Sequence, residues 1–268
     1  MKTYLTLSAI ALAAAATLSS GVVMAADPAP AATPDFVVTG NFGITSDYRF
    51  RGISQNNLDP AFQGGFDVAH SSGLYIGTWG SNVSQWAASS TGSMELDIYG
   101  GYKTTVGDLG VDVGAIAYKY PGTNKGYKSN TEEAYLGLSY GPATFKTSYV
   151  LGKNYFASTT ENGSDDVSGT MYYDLTLTQE LMPKLTASVH AGYTDYKGAG
   201  AYNLSGNKFS YSDYNIGLAY DLDGYVFGVK YFWNDEKAGT KTWSGAATST
   251  GNKNLYKGGF AVSLTKAF

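Results

Sequence analysis

From Phe36 onward, side-chain character alternates with a period of two. Over residues 36–52 the even positions are Phe36, Val38, Gly40, Phe42, Ile44, Ser46, Tyr48 and Phe50. The odd ones are Val37, Thr39, Asn41, Gly43, Thr45, Asp47, Arg49 and Arg51. Successive side chains of an extended strand point to opposite faces, so this segment is predicted to be a ribbon with one apolar, aromatic face and one polar face. The same alternation recurs over 62–68, 94–103, 111–118, 134–140, 145–151, 171–177, 185–194, 214–220, 225–233 and 257–265. Residues 74–81 have strand character but no clear choice of face. Twelve strands are therefore predicted, an even number.

The connections between them alternate in length. Short ones fall at 70–73, 105–109, 141–142, 180–184 and 221–224; long ones at 52–59, 82–93, 121–131, 156–169, 197–210 and 234–254. Short turns on one rim and long loops on the other is the layout of bacterial outer-membrane barrels. The first connection is long, so both termini are expected on the short-turn, periplasmic side. The fold class predicted is all-β: a transmembrane antiparallel up-and-down β-barrel of about twelve strands over 35–268.

The segment before the strands reads as a secretory signal peptide over residues 1–25. Lys2 supplies the positive charge, residues 4–23 are apolar and small, and Val23-Met24-Ala25 offers a cleavage site after Ala25. A Pro/Ala linker over 26–34 joins it to the barrel. After the signal, no run approaches the ~20 apolar residues that a membrane helix requires. A closed barrel is the other structure that leaves no backbone polar group exposed to lipid.

Composition decides which face meets lipid. The 268 residues include 34 Gly, 23 Tyr, 12 Phe and 4 Trp, and only 15% are charged. A soluble barrel would turn its apolar face inward and carry abundant Lys and Glu outside. Here charge is sparse and aromatics gather near strand ends. Tyr48, Phe50, Tyr140, Tyr149, Tyr193, Tyr220, Tyr225, Tyr231 and Trp233 are expected to form the two interfacial girdles. The outer membrane is thus the expected location, with lipid and lipopolysaccharide as surroundings. The net charge of −4 argues against a nucleic-acid partner, which would call for a basic stripe. The absence of cysteine excludes a disulfide scaffold and a thiolate metal site. No cofactor and no metal is predicted.

If the apolar face meets lipid, the polar face lines the interior. Asp47, Arg49, Arg51, Asp67, Glu95, Asp97, Lys103, Asp112, Lys146, Asp174, Lys230 and Lys257 are then candidates for a mixed-charge lining, with Arg49 and Arg51 near the outer mouth. Charged rings set selectivity in pores. Pairing of these groups across a packed interior is the structural alternative. The last strand carries Phe260, Val262, Leu264 and the terminal Phe268, alternating like the signal read by the barrel-assembly machinery; Lys266 departs from that pattern.

The stretch Thr45-Ser-Asp-Tyr-Arg-Phe-Arg-Gly-Ile-Ser-Gln55 resembles the opening motif of the proteobacterial Gcw_chp family, also labelled the TorF porin family. Gly73-Leu-Tyr-Ile-Gly-Thr-Trp-Gly-Ser-Asn82, Glu95-Leu-Asp-Ile-Tyr-Gly-Gly-Tyr102 and Ser263-Leu-Thr-Lys-Ala-Phe268 are similar to that family too. The resemblance implies an outer-membrane porin passing small solutes or ions, and it brings no substrate or catalytic residue. Assembly as a homo-oligomer is compatible with it. Two other classes stay open: an adhesive or structural protein acting through long loops, and an outer-membrane hydrolase. For the latter, His70 and His190 are the only histidines, and His190 lies two residues from Ser188 on one strand. A catalytic triad is recognised by geometry rather than by such spacing, and the protein is predicted not to be an enzyme.

Overall fold

The computed structural model describes residues 35–84, 92–122, 127–156, 159–160, 166–197, 210–235 and 253–268. The expected signal peptide (1–25) and Pro/Ala linker (26–34) lie outside these residues, as does most of the connections after 156, 197 and 234.

Twelve strands close into one antiparallel barrel: β1 (Phe36–Thr45), β2 (Ala61–His70), β3 (Leu74–Asn82), β4 (Met94–Val106), β5 (Leu109–Lys119), β6 (Thr131–Tyr140), β7 (Ala143–Val150), β8 (Met171–Met182), β9 (Leu185–Asp195), β10 (Tyr211–Leu222), β11 (Tyr225–Asn234) and β12 (Gly259–Ala267). Each pairs with its sequence neighbours, and β12 closes on β1 with Asn41 opposite Ala267 and Thr45 opposite Ser263. The terminal residue extends that seam. The Gly40 amide donates to the Phe268 carbonyl (2.8 Å), and the Phe268 amide donates to the Gly40 carbonyl (2.9 Å). Closure leaves no sheet edge, which is the condition for strands in lipid.

The wall is apolar outside and polar inside. Phe62, Ile76 and Phe260 are 67%, 59% and 72% exposed, whereas the inward Glu95 and Thr194 are 1% and 0% exposed. That inversion of the soluble pattern defines a transmembrane barrel. The register of β3, open in the sequence, is resolved: Leu74 and Ile76 face out, Trp79 and Ser81 face in.

The inward tyrosines are seated on glycines. A Cβ on Gly114 would lie 2.5 Å from the Tyr135 hydroxyl, and one on Gly192 would collide with the Tyr172 hydroxyl. Neighbouring strands therefore supply Gly where the adjacent strand supplies a large ring, a steric account of a chain rich in both.

One expectation is corrected here. The alternation from 36 to 52 does not make one strand. β1 stops at Thr45, after a last link to β12 in which the Ser46 amide donates to the Val262 carbonyl (2.9 Å) and the Val262 amide to the Ser46 hydroxyl (3.0 Å). The chain then turns into the barrel. Tyr48, expected in a girdle, is 3% exposed and packs edge-on against Trp79 at 5.6 Å. Phe50 packs inside against Tyr118 and Phe156. Tyr140, Tyr149, Tyr193, Tyr220 and Tyr225 do lie exposed on the outer wall.

Candidate functional site

The site is the barrel interior on the long-loop side, and its centre is the connection between β1 and β2. Arg49–Phe50 pairs with Ile53–Ser54 as a short ladder, turned by Arg51 (φ 47°) and Gly52 (φ 78°). Positive φ at both central residues matches the twist of a two-residue hairpin. Gly accepts that geometry freely; an Arg there is strained.

Polar contacts hold this hairpin inside. Ser54 Oγ donates to Asp47 Oδ1 (2.6 Å), and Arg49 Nε pairs with Asp47 Oδ2 (2.5 Å). Arg49 Nη1 also donates to the carbonyls of Gly52 (3.2 Å), Leu255 (3.2 Å) and Lys257 (3.0 Å), joining the hairpin to the segment before β12. The Ser84 amide donates to the Gln55 carbonyl (2.9 Å), a tie to the segment after β3. Ile53 and Leu58 pack with Tyr211, Leu255 and Tyr256.

Arg51 crosses to the wall. Its Nη2 donates to Glu133 Oε2 on β6 (2.8 Å), and its Nη1 to the Tyr155 hydroxyl (2.9 Å). Both side chains of the ion pair are nearly sealed, 5% and 1% exposed. The guanidinium lies 4.2 Å from the ring centre of Tyr172, 4.7 Å from Phe50 and 5.7 Å from Phe156. These are cation–π distances, favourable where water is excluded. The Tyr211 hydroxyl donates to the Arg51 carbonyl (2.8 Å).

Beside this pair runs an acidic stretch of wall. Glu95 accepts from the hydroxyls of Tyr48 (3.0 Å) and Tyr120 (3.1 Å). Asp97, next inward on β4, is 0% exposed, and neither carboxylate oxygen has a hydrogen-bond partner. Glu133 Oε1 also lacks one.

A second network lies on β8–β10. His190 sits between two carboxylates, Nδ1 3.3 Å from Asp174 Oδ1 and Nε2 3.1 Å from Asp213 Oδ1. The hydroxyls at the ring are those of Thr176 (3.2 Å) and Tyr172 (3.2 Å), so Ser188 is not its partner. A histidine fixed between two acids is built for charge pairing.

Toward the short-turn rim the interior loosens. Along β4, Glu95, Asp97 and Tyr99 are buried, Gly101 and Lys103 half-buried, and Thr105 exposed. The Tyr99 hydroxyl donates to Asp67 (2.7 Å), and the Tyr75 hydroxyl to Asp112 (2.7 Å) while also meeting the Tyr135 hydroxyl. Lys103 lies 3.9 Å from Asp112 and over the Tyr75 ring (4.5 Å); Lys146 lies over Tyr135 (4.1 Å). Lys230 is on the inner face of β11 and half-buried. Lys257 lies at the opposite, long-loop end, exposed just before β12, and does not line the interior.

Two inward carboxylates escaped the sequence pattern, Glu133 and Asp213, 0% and 2% exposed. Each lies one pleat beyond the alternating segment recognised on its strand, so continuing the odd positions of β6 and β10 finds both. Among the described residues, no group of three or more acidic, histidine or cysteine side chains is arranged to hold a metal ion.

Known proteins share this barrel fold. A family profile described as a bacterial protein of unknown function (Gcw_chp) matches residues 29–268. A NanC porin structure superimposes with a TM-score of 0.51 at 11% identity, covering 86% of this chain and 99% of that one. A KdgM porin in complex with disordered oligogalacturonate gives 0.49 at 7% identity, covering 87% and 99%. At these identities the likeness shows the barrel fold alone. Among curated proteins, none has a sequence that matches.

Proposed function

The chain belongs to the Gcw_chp family of bacterial proteins, and we propose that it is a passive outer-membrane channel for small ions or solutes, without enzymatic activity. The observation that carries this reading is the closed barrel with an apolar outer wall and a charged inner one. Twelve strands lie between the eight that side chains fill and the sixteen that leave a wide channel, so the cargo is small. The porin names of the similar structures point the same way.

In this reading the short-turn rim faces the periplasm, and the β1–β2 connection narrows the outer mouth. Its long-loop rim sits among lipopolysaccharide, and Phe260, Val262, Leu264 and Phe268 address the assembly machinery. The interior, wall and hairpin together, holds the carboxylates of Asp47, Asp67, Glu95, Asp97, Asp112, Glu133, Asp174 and Asp213 against the basic Arg49, Arg51, Lys103, Lys146 and Lys230, with His190 held between two of the acids. Acid exceeds base, so cations are the favoured cargo, as for acidic rings in other pores. Planar-bilayer recording of the purified protein tests this. Discrete steps with a reversal potential displaced toward cations are expected; silence from folded protein, or anion preference, refutes the proposal.

A further inference from the structure

We propose that the cage around Arg51 is a binding site for small organic cations of guanidinium type, filled in this structure by the chain's own side chain. The inference deepens the channel reading, because it names the class of cargo the narrow zone recognises. The cage has a fixed half and a removable half. Glu133 and Tyr172 stand on the barrel wall, on β6 and β8. Arg51 and Phe50 arrive on the inward hairpin.

Three observations separate this from a plain structural strut. First, the recognition elements are those a guanidinium ligand needs: a carboxylate oxygen at 2.8 Å, a phenol oxygen at 2.9 Å and an aromatic face at 4.2 Å. Second, Arg51 is delivered on a strained backbone, φ 47°. Third, the wall has acceptor capacity that Arg51 leaves unused: Glu133 Oε1 is buried without a hydrogen-bond partner beside the oxygen that Arg51 holds, so a ligand guanidinium can take both oxygens where Arg51 takes one. A hydrophobic plug of equal volume would anchor the hairpin as well, and buried ion pairs are best attested where an element must switch or hold register. When the hairpin withdraws, the wall half presents an acid and a ring to an incoming cation.

The test uses the full chain folded in detergent and methylguanidinium as probe, followed by calorimetric titration. Arg51→Ala is expected to bind the probe at least tenfold more tightly than wild type. Adding Glu133→Gln should lower that binding at least tenfold. Methylurea, its neutral analogue, should not bind. Equal binding by wild type and Arg51→Ala, no loss in the double variant, or binding of methylurea overturns the proposal. If Arg51→Ala does not fold, Arg51→Gln takes its place, and failure of both to fold also overturns it, by making Arg51 a strut. The titration needs no membrane. A silent bilayer with intact titration therefore removes the channel and leaves the site, while the opposite result removes the site and leaves the channel.

Discussion

Replacing Glu133 by leucine leaves the Arg51 guanidinium sealed without its counter-charge. Both partners are at most 5% exposed, so water cannot substitute for the lost carboxylate. Removing one partner of such a pair costs about 3–5 kcal/mol. The cost falls on the docked state of the hairpin, since an undocked hairpin hydrates its Arg. Each 1.4 kcal/mol is about a factor of ten, so the undocked population is expected to rise roughly a hundred- to several-thousand-fold. Trypsin reports this directly, because it cuts after arginine and both Arg49 and Arg51 lie on the hairpin. When docking is fast, the cleavage rate follows the open population. Cleavage at these two sites, mapped by mass spectrometry on the folded barrel, should rise by that factor in Glu133→Leu. In the pair Arg51→Met with Glu133→Leu, cleavage at Arg49 should return toward the wild-type rate, because an apolar pair of similar volume replaces a buried ion pair at little cost. A rise below tenfold in Glu133→Leu, with the barrel still folded, refutes the idea that this pair holds the hairpin.

Other outcomes follow from the same structure. Leu175→Arg places a charge on the outer wall and should destabilise the barrel in lipid vesicles by about 2–4 kcal/mol, while Thr178→Arg, facing inward on the same strand, should cost far less; equal costs in denaturant titration contradict the assignment of faces. Gly114→Val puts a Cβ 2.5 Å from both the Gly100 carbonyl and the Tyr135 hydroxyl, so the yield of folded, heat-modifiable barrel on gels should collapse. Deleting Phe268 removes two backbone hydrogen bonds at the closing seam and the ring packed on Phe66, and refolding yield should drop several-fold against wild type. Asp112→Asn, whose carboxylate reaches the looser part of the interior (side chain 17% exposed), should shift the bilayer reversal potential away from cations; no shift removes Asp112 from the selecting wall.

Much of this fold is written in the period-two pattern. Lipid on one side and polar groups on the other force strict alternation, so β4, β9 and β12 can be placed with their faces from residue types alone. β3 cannot, since Gly77 and Gly80 carry no side chain to mark a face and Trp79 points inward against the expectation for a large aromatic. The hairpin after β1 misleads for a different reason. Ser46, Tyr48 and Phe50 continue the alternation in sequence, but a tyrosine hydroxyl on Glu95 and rings packed on Tyr118 and Phe156 reward burial inside as well as lipid would outside. The interior site is half legible: its acids and bases are on the polar face, while the partner of Arg51, 82 residues away, is set by closure of the barrel.

Fold and function both turn on which side of the wall meets lipid. The chain has no cysteine, so single cysteines at residues 186–189 of β9 can each carry a spin label. With the protein in bilayers, dissolved oxygen, which concentrates in lipid, should relax labels at Ala187 and Val189 more than those at Thr186 and Ser188, and a water-soluble nickel chelate should show the reverse. Flat profiles, or alternation in the opposite sense, would contradict it.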